Sequence, residues 1–397
     1  MYRQYEHVFS LVSSLQTNYS GRYSYIGIEC RHYQTVKSWK TLDDIITQNS
    51  RQALTDRAWV IIPYEFGNGG QAVVCHCETV LVWDHLNEKM TIESKTDFSL
   101  PDSLDEHVSD PLNITGIRSN MTKDMYLRYV KKCLNDIHEG TYYQLNLTRK
   151  FWVDCNVISS TQLVELFEQL CTVSPAPYAS FIKWPGCHVL SSSPELFMQC
   201  EDQTWTARPI KGTINKLDIN RSTHEDVQIL SNSTKDQAEN LMIVDLMRHD
   251  LSQFCKVGTV KVPALYDLDS FQTLHHLSST ITGTHDPEYS MVSAVQHAFP
   301  PGSMTGTPKA KVIEYANRYE QDPRGIYSGA IGWLSKDACD LSVVIRTMII
   351  KNSCIEFQVG GAITAQSDPE SEWHETLVKA KGICWALGLD PFTDLAF

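Results

Sequence analysis

Residues 341–365 read LSVVIRTMIIKNSCIEFQVGGAITA. Two runs rich in β-branched residues flank Lys351-Asn352-Ser353, a polar break too short to hold a helix. They predict strands joined by a turn, which makes them antiparallel. The same rhythm recurs in CHVLSSSPELFMQC (187–200) and SGAIGWLS (328–335). It is also present nearer the N-terminus in RYSYIGIEC (22–30), AWVIIPYEF (58–66) and QAVVCHCETVLVWD (71–84). Near 122–138, Tyr126, Tyr129, Val130, Cys133 and Ile137 fall at helical spacing, with Gly140 as the stop. An alternating strand, YYQLNLTRKFWV (142–153), follows. Strands come in runs and not in a regular βαβα alternation, so an α+β fold with antiparallel sheets is expected over a doubly wound parallel one.

With 397 residues, 42 % hydrophobic and 20 % charged, the chain can bury a large core, in one large unit or two. A net charge of -13 without a basic stripe argues against nucleic acid or an anionic membrane surface as partner. No run approaches the ~20 apolar residues of a membrane span. The start, MYRQYEHVFSLVSSLQ, lacks the apolar core of a signal peptide, so a cytoplasmic location is expected. The twelve cysteines show no CxxC pair and are read as reduced thiols. Cys75-His76-Cys77 is a faint metal pattern that core packing explains better. The stretch 86–122, rich in Asp, Ser, Asn and Pro, divides an N-terminal portion (1–120) from the remainder (121–397).

Two predicted helices each bring carboxylates to one face. Thr234, with Gln237 three residues on, reads as a capping box, and Asp236 and Glu239 then lie at i and i+3. In the second, Asp368 is the N-cap and Pro369 the first helical residue, and Glu372, Glu375 and Lys379 follow at i, i+3 and i+7. Singly, each face resembles an ordinary solvated helix start, where acids are favoured. Together they could supply oxygen ligands for Mg²⁺, which keeps waters and is commonly shared with an anionic substrate. Zn²⁺ would want His or Cys at ligand spacing.

FPPGSMTGTPKAKVIEYANRYE (299–320) is not a Walker loop, because Pro308 separates its glycines from Lys309. It remains a Gly- and Thr-rich turn opening a helix, suited to an anion such as a carboxylate. Arg346 in SVVIRTMII should be buried beside an anion, since an unpaired buried charge is costly. ARPIKGT (207–213) ends an alternating run, with Gly212-Thr213 as its turn, and puts Lys211 where an apolar or small residue would be cheaper. Glu195 in SSSPELF adds a further acid. No Ser-His-Asp, Cys-His or GxGxxG arrangement declares itself. The residues alone point to a Mg²⁺-dependent enzyme acting on a small polyanion.

The segments SSSPELF, ARPIKGT, KDQAENLMIVDLMRHDLS, LHHLSSTITG, FPPGSMTGTPKAK, RGIYSGAIG, IRT and GGAITAQSDPESEWHETLVKAKG occur in that order. Together they resemble the chorismate-utilising enzymes: the anthranilate, aminodeoxychorismate, isochorismate and salicylate synthases. The likeness covers roughly residues 120–390. It implies two large antiparallel β-sheets packed face to face with helices outside. Anthranilate synthases carry a small residue where Lys211 stands, whereas members that aminate C4 carry PIKGT. The resemblance therefore implies that the free amine of Lys211 adds at C2 of chorismate as the C4 hydroxyl leaves, protonated by Glu195. Ammonia then adds at C4 and expels the lysine. Burial has to keep the amine free against the nearby acids.

Other roles follow from the same resemblance. Gln144 stands where water-adding members carry a lysine base, so ammonia is the expected nucleophile. Glu239 and Glu375 match direct Mg²⁺ ligands, with Asp236 and Glu372 acting through water. Tyr327, Arg346 and the Gly360-Gly361 backbone match the pocket for the enolpyruvyl carboxylate. Gly212, Thr213, His276, Thr305 and Lys379 match the lining of the ring and its carboxylate. No glutamine-hydrolysing domain is evident, so a separate glutamine amidotransferase subunit, or free ammonium, would supply ammonia. The product would lead to p-aminobenzoate and folate through a lyase. The chain departs from the family at Arg248-His249-Asp250, at Pro301, at Gly306-Thr307-Pro308-Lys309, and after PIKGT, where Lys216 is the nearest cation. LVSS (11–14) is only a loose match to the family's tryptophan-site motif. The alternatives are amination at C2 and an inactive homologue serving as a binding subunit.

Overall fold

At Pro194-Glu195 the chain changes sheets. Cys187–Ser193 lies in one sheet and Leu196–Glu201 in the other, so the single run expected over 187–200 is two strands. The same happens at 344–346: Cys339–Val343 belongs to the second sheet and Thr347–Lys351 to the first. Pro194 lacks the amide a ladder needs, and Arg346 turns the chain with a φ of 51°. The two crossings are strapped together. Ser192 N donates to Arg346 O and Val343 N to Glu195 O, both at 3.0 Å. The turn read at 351–353 is present, and Ile350 faces Ile355 across an antiparallel pair.

The computed structural model describes residues 5, 7–15, 21–30, 32–49, 57–94, 97–98, 109–215, 228, 232–270 and 274–397. Parts of the 86–122 stretch and Lys216 fall outside them; within that stretch Lys89–Ser94 and Ile114–Ser119 are strands. Among the described residues the strands form antiparallel sheets of eleven and ten strands. The first centres on Gln144–Cys155, Cys354–Ile363, Thr347–Lys351, Cys187–Ser193 and Tyr178–Trp184, and continues through Val8–Val12, Tyr23–Ile28, Thr79–Asp84 and Lys89–Ser94. The second runs Ile210–Asn215, Leu274–Thr284, Thr204–Arg208, Leu196–Glu201, Cys339–Val343, Ala330–Leu334, Ala58–Ile62, Ala72–His76 and His32–Val36. Strands from before residue 95 thus fill one flank of both sheets, while Ile114–Ser119 pairs with Gln144–Cys155 at the other end of the first.

The layers follow from which faces are apolar. Phe9, Trp59, Val189, Ile331, Trp333 and Ile349 meet between the sheets. On the outer side of the first sheet, Phe151 and Phe357 pack with Tyr126, Phe167 and Trp373 from three helices. Outside the second sheet, Trp205 and Ile281 pack with Ile243, Met247 and Val295. Each such burial contributes roughly 1.5–3 kcal/mol. The result is the expected α+β arrangement of two face-to-face sheets with helices outside. No helix among the described residues is long and apolar enough to cross a membrane.

Local signals held in several places. The first expected helix is Lys123–His138, capped by Thr122 and followed by Gly140 at φ 76°. Asp368 caps Pro369–Ala386 by accepting from Ser371 N at 2.9 Å. Three details differ. The N-cap of Thr234–Ser252 is Ser233 and not Thr234, because the Ser233 hydroxyl reaches the Asp236 amide at 3.3 Å. Gly212-Thr213 does not end a strand. Ile210 opposes Ser278 and Thr213 opposes His276, so one extra residue is accommodated as a bulge at Lys211-Gly212, with Gly212 at φ 80°. Finally, the cysteines are not all free: Cys30 and Cys77 form a disulfide. Ile28 faces Thr79 across antiparallel strands, so the next positions outward bring Cys30 opposite Cys77.

One buried ion pair ties the layers together. Arg324 is 2 % exposed. Its Nε and Nη2 donate to the two Glu320 carboxylate oxygens at 2.7 and 2.6 Å. Nη2 also reaches Asn146 O at 2.7 Å, and Nη1 reaches Met304 O at 2.6 Å. The Arg324 carbonyl accepts from Gln358 Nε2, and its amide donates to Glu65 Oε1, both at 2.7 Å. Arg324→Ala leaves Glu320 buried and unpaired, so a loss of about 3–5 kcal/mol is expected. Urea unfolding measures it; an unchanged midpoint would show that the pair does not hold the layers.

Candidate active site

Lys211 emerges from the bulge, which re-aims its side chain off the ladder. Its Nζ reaches the Ser303 carbonyl at 3.4 Å. Glu195 sits on the first sheet crossing and is 5 % exposed. Burial pushes its carboxyl up, while the Ser303 hydroxyl, the Lys211 charge and the Ile210 amide pull the other way. Ser303 therefore neighbours both groups, its carbonyl meeting Lys211 and its side chain helping to hold the Glu195 carboxyl down. It lies in the short helix Gly302–Thr305, within the 299–320 stretch expected to meet an anion. Its role was not visible in the sequence, because nothing local links that stretch to strands a hundred residues away.

The two acidic helices converge as expected. Lys235, from Thr234–Ser252, lies 3.3 Å from Glu372 Oε1 on Pro369–Ala386 and 3.9 Å from Glu239 Oε1. Lys235 was missed, although its i,i+4 spacing from Glu239 is a readable signal. Glu372 is 1 % exposed. Its Oε1 accepts from the Ser367 hydroxyl at 2.6 Å, and its Oε2 is buried without a partner. Burial and then the Glu375 charge push the Glu372 carboxyl up; burial does the same to Glu239 against Lys211 and Lys235. Glu375 goes the other way, held low chiefly by Lys379 at 2.7 Å. A Cβ at Gly361 would lie 2.9 Å from Glu372 Oε2, so only glycine lets the backbone approach the acids this closely. The three carboxylates offer hard oxygen donors, one of them without a partner, which is the donor chemistry of a divalent cation, although their oxygens are not gathered within 4.8 Å of one another. Asp236 stands apart: its amide serves the Ser233 cap, and no ion pair among the described residues joins it to the other three.

Around these groups lie the remaining candidates. Arg346, on the second crossing, is pushed down by burial and supported by the charge of Glu195. His276 is hydrogen-bonded to the Gly212 backbone; burial and then Arg346 push it down to about 3, so the ring is neutral at pH 7. Burial pushes Tyr327 up to about 12 against Arg324 and Lys379. Lys379 also donates to Gly360 O at 2.9 Å. Thr305 is buried with its hydroxyl on Pro301 O at 2.7 Å. Of Thr213 only the backbone is described, opposite His276. Gln144 is fully buried beside this region, with its Cα opposite Thr307 and both amide atoms lacking a hydrogen-bond partner.

The description "chorismate binding enzyme" matches residues 3–384. The chain belongs to that family. This chorismate-binding family member is similar to the aminodeoxychorismate synthase of Streptomyces pristinaespiralis, at 41 % identity over 283 residues, covering 70 % of this chain and 38 % of that protein. It is also similar to aminodeoxychorismate synthase component 1 of Escherichia coli (strain K12), at 37 % over 267 residues, covering 67 % and 58 %. The match thus spans less than two thirds of either relative. Among solved structures, MenF, the menaquinone-specific isochorismate synthase from Escherichia coli, superposes with a TM-score of 0.79 over 97 % of this chain and 89 % of that chain, at 17 % identity. Anthranilate synthase component I from Streptococcus pneumoniae gives 0.76 over 91 % and 92 %, at 21 %. At such identities these likenesses concern the fold.

The raised Glu195 carboxyl has a sign that can be measured. Its folded state favours the neutral acid, so its contribution is fully present below the ordinary value of about 4.3 and is lost as pH rises through the higher folded one. Glu195→Gln stays neutral throughout. Its thermal midpoint should exceed that of the wild type at about pH 7.5 and converge with it below about pH 4. A constant difference at both pH values would mean that Ser303 and Lys211 offset the burial.

Proposed function

We propose that the chain aminates chorismate at C4, giving 4-amino-4-deoxychorismate, with Lys211 as the transient covalent nucleophile and Glu195 as its acid. One observation carries the reading: Lys211 leaves its bulge toward the Ser303 carbonyl, 3.4 Å from its Nζ, in the neighbourhood of buried Glu195. The relatives named aminodeoxychorismate synthase support it.

Chorismate offers two carboxylates, a ring hydroxyl and an enolpyruvyl ether. Arg346, Tyr327 and the Gly360-Gly361 backbone bind the enolpyruvyl carboxylate, while neutral His276, Gly212, Thr213, Thr305 and Lys379 line the ring. Nζ of Lys211 attacks C2, the ring double bond shifts, and the C4–O bond breaks. Glu195 gives its proton to that oxygen, which leaves as water. Burial pushes this carboxyl up, which favours the protonated acid the step needs. Ammonia then attacks C4, the double bond shifts back and the C2–N bond breaks, freeing Lys211. The surplus proton of the new C4–N bond returns to Glu195. Chorismate and ammonia become aminodeoxychorismate and water.

Glu239, Glu375 and Glu372, with Asp236 one turn away, would hold Mg²⁺, whose chemistry is to polarise a substrate carboxylate and offset charge. The partnerless Glu372 oxygen supports that fit. Buried Gln144 offers no base for water, which supports ammonia as the nucleophile. A separate glutamine amidotransferase subunit would supply it, and the name "component 1" of the Escherichia coli relative supports a second component. The product suits p-aminobenzoate and folate synthesis through a lyase.

The deciding experiment incubates the chain with chorismate, Mg²⁺ and ammonium and identifies the product by mass and chromatography. Aminodeoxychorismate is expected, with formation falling about 10²–10⁴-fold in Glu195→Gln and sharply in Lys211→Ala. Full activity of Lys211→Ala would remove the covalent step. Anthranilate or isochorismate would reassign the reaction, and no product even with an amidotransferase subunit would favour a binding homologue. Gly361→Ala, which crowds Glu372, should weaken Mg²⁺ binding about tenfold or more by calorimetry in the presence of chorismate. Unchanged affinity would take Glu372 out of the metal site.

A further inference from the structure

Three sulfurs converge between the sheets, on side chains that share nothing with the site above. Cys30 follows Tyr23–Ile28, Cys75 lies in Ala72–His76, and Cys77 precedes Thr79–Asp84. The chain passes from the second sheet to the first between residues 76 and 79, so the sulfurs sit on that passage. The three Sγ atoms all lie within 4.8 Å of one another, and the residues are 3 %, 4 % and 5 % exposed. Cys30 and Cys77 are joined, and Cys75 is a free thiol. Burial pushes that thiol up, which makes Cys75 inert as an isolated nucleophile. Ordinary packing accounts for one buried cysteine; three sulfurs sharing one small volume are a donor set.

We propose that, once the Cys30–Cys77 disulfide is reduced, Cys30, Cys75 and Cys77 together bind one thiophilic d¹⁰ cation, with Cu⁺ the first choice. Soft thiolates select Cu⁺ or Zn²⁺, and three sulfurs suit the low coordination of Cu⁺. The oxidised pair is the metal-free state of the same site. A dithiol reductant supplies two electrons and two protons to open the bond and closes to its own disulfide. Binding then displaces three thiol protons. A small, partly open pocket lined by Cys30, Cys75, His7 and Tyr33 among others borders the sulfurs. His7, which lines the same pocket, has its Nε2 buried without a hydrogen-bond partner, and a tetrahedral Zn²⁺ would require a fourth donor of that kind. The carboxylates of the active site are hard donors, so the two sites select different metals.

The test uses the full chain, reduced and desalted without oxygen. It is titrated with Cu⁺ against a chromophoric Cu⁺ chelator and, separately, with Zn²⁺ against a zinc indicator. One tightly held ion is expected in the reduced protein and none in the oxidised one. Cys75→Ala should weaken binding at least about 100-fold, since even outer-shell losses cost about 10–100-fold. In the wild type, bound metal should protect Cys30, Cys75 and Cys77 together from alkylation, read by mass spectrometry, which needs no variant to fold. A preference for Zn²⁺ that is lost in His7→Ala supports the site with zinc as its occupant. Failure of reduced wild type to hold either ion, wild-type affinity in Cys75→Ala, or unprotected thiols would each overturn the proposal.

Discussion

A guanidinium that cannot be solvated must be paired on all sides, and Arg324 is. Its carboxylate partner, Glu320, also accepts from the Thr148 amide at 3.0 Å, so the pair is locked to the strand Gln144–Cys155 from both members. Its bond to Met304 O fixes the residue next to Ser303, and Ser303 is where Lys211 and Glu195 meet. The placement of Lys211 and Glu195 near one another is thus inherited from an ion pair that touches neither residue. Arginine suits this place because its planar fork donates in several fixed directions at once, which an ammonium cannot do.

The reacting region is a mixed lattice of charge and not a simple anion hole. Lys211, Lys235 and Lys379 alternate with Glu195, Glu239, Glu372 and Glu375. Each lysine answers at least one acid, and burial raises three of the four carboxyls, while Lys379 chiefly, with Lys235 and Lys211, keeps Glu375 low. Such a lattice is satisfied before substrate arrives. On the proposed function, a dianionic ligand and a divalent cation would enter together without a large change in net charge, which would limit the desolvation penalty.

Much of this was legible because the deciding signals are local. Asp368-Pro369 announces a helix start, Gly140 a helix end, and i,i+3 spacing the acidic faces. The motifs that carry the family likeness are contiguous. The crossing at Ser193-Pro194-Glu195 carried a readable signal in Pro194, whereas the one at Val344-Ile345-Arg346 was hidden because apolar residues run on through it, whichever sheet the strand joins. Gly212 signalled a left-handed backbone but not whether the chain would turn or bulge, since both need the same φ. Adjacent Ser233 and Thr234 are both good caps, and only the geometry chose. The Cys30–Cys77 pairing depends on the register of strands 47 residues apart, which no local pattern encodes.

The strands that fill one flank of both sheets have a consequence for how the molecule is made. Val8–Val12 is bordered by Tyr23–Ile28 on one side and by Tyr178–Trp184 on the other. During synthesis the first neighbour arrives early, while the second emerges only after the intervening segments, so one edge stays unpaired in the nascent chain. Open edges invite pairing with other chains, and non-local pairing is slow. The flank made first is therefore completed by strands made much later, Tyr178–Trp184 in the first sheet and Ala330–Leu334 in the second.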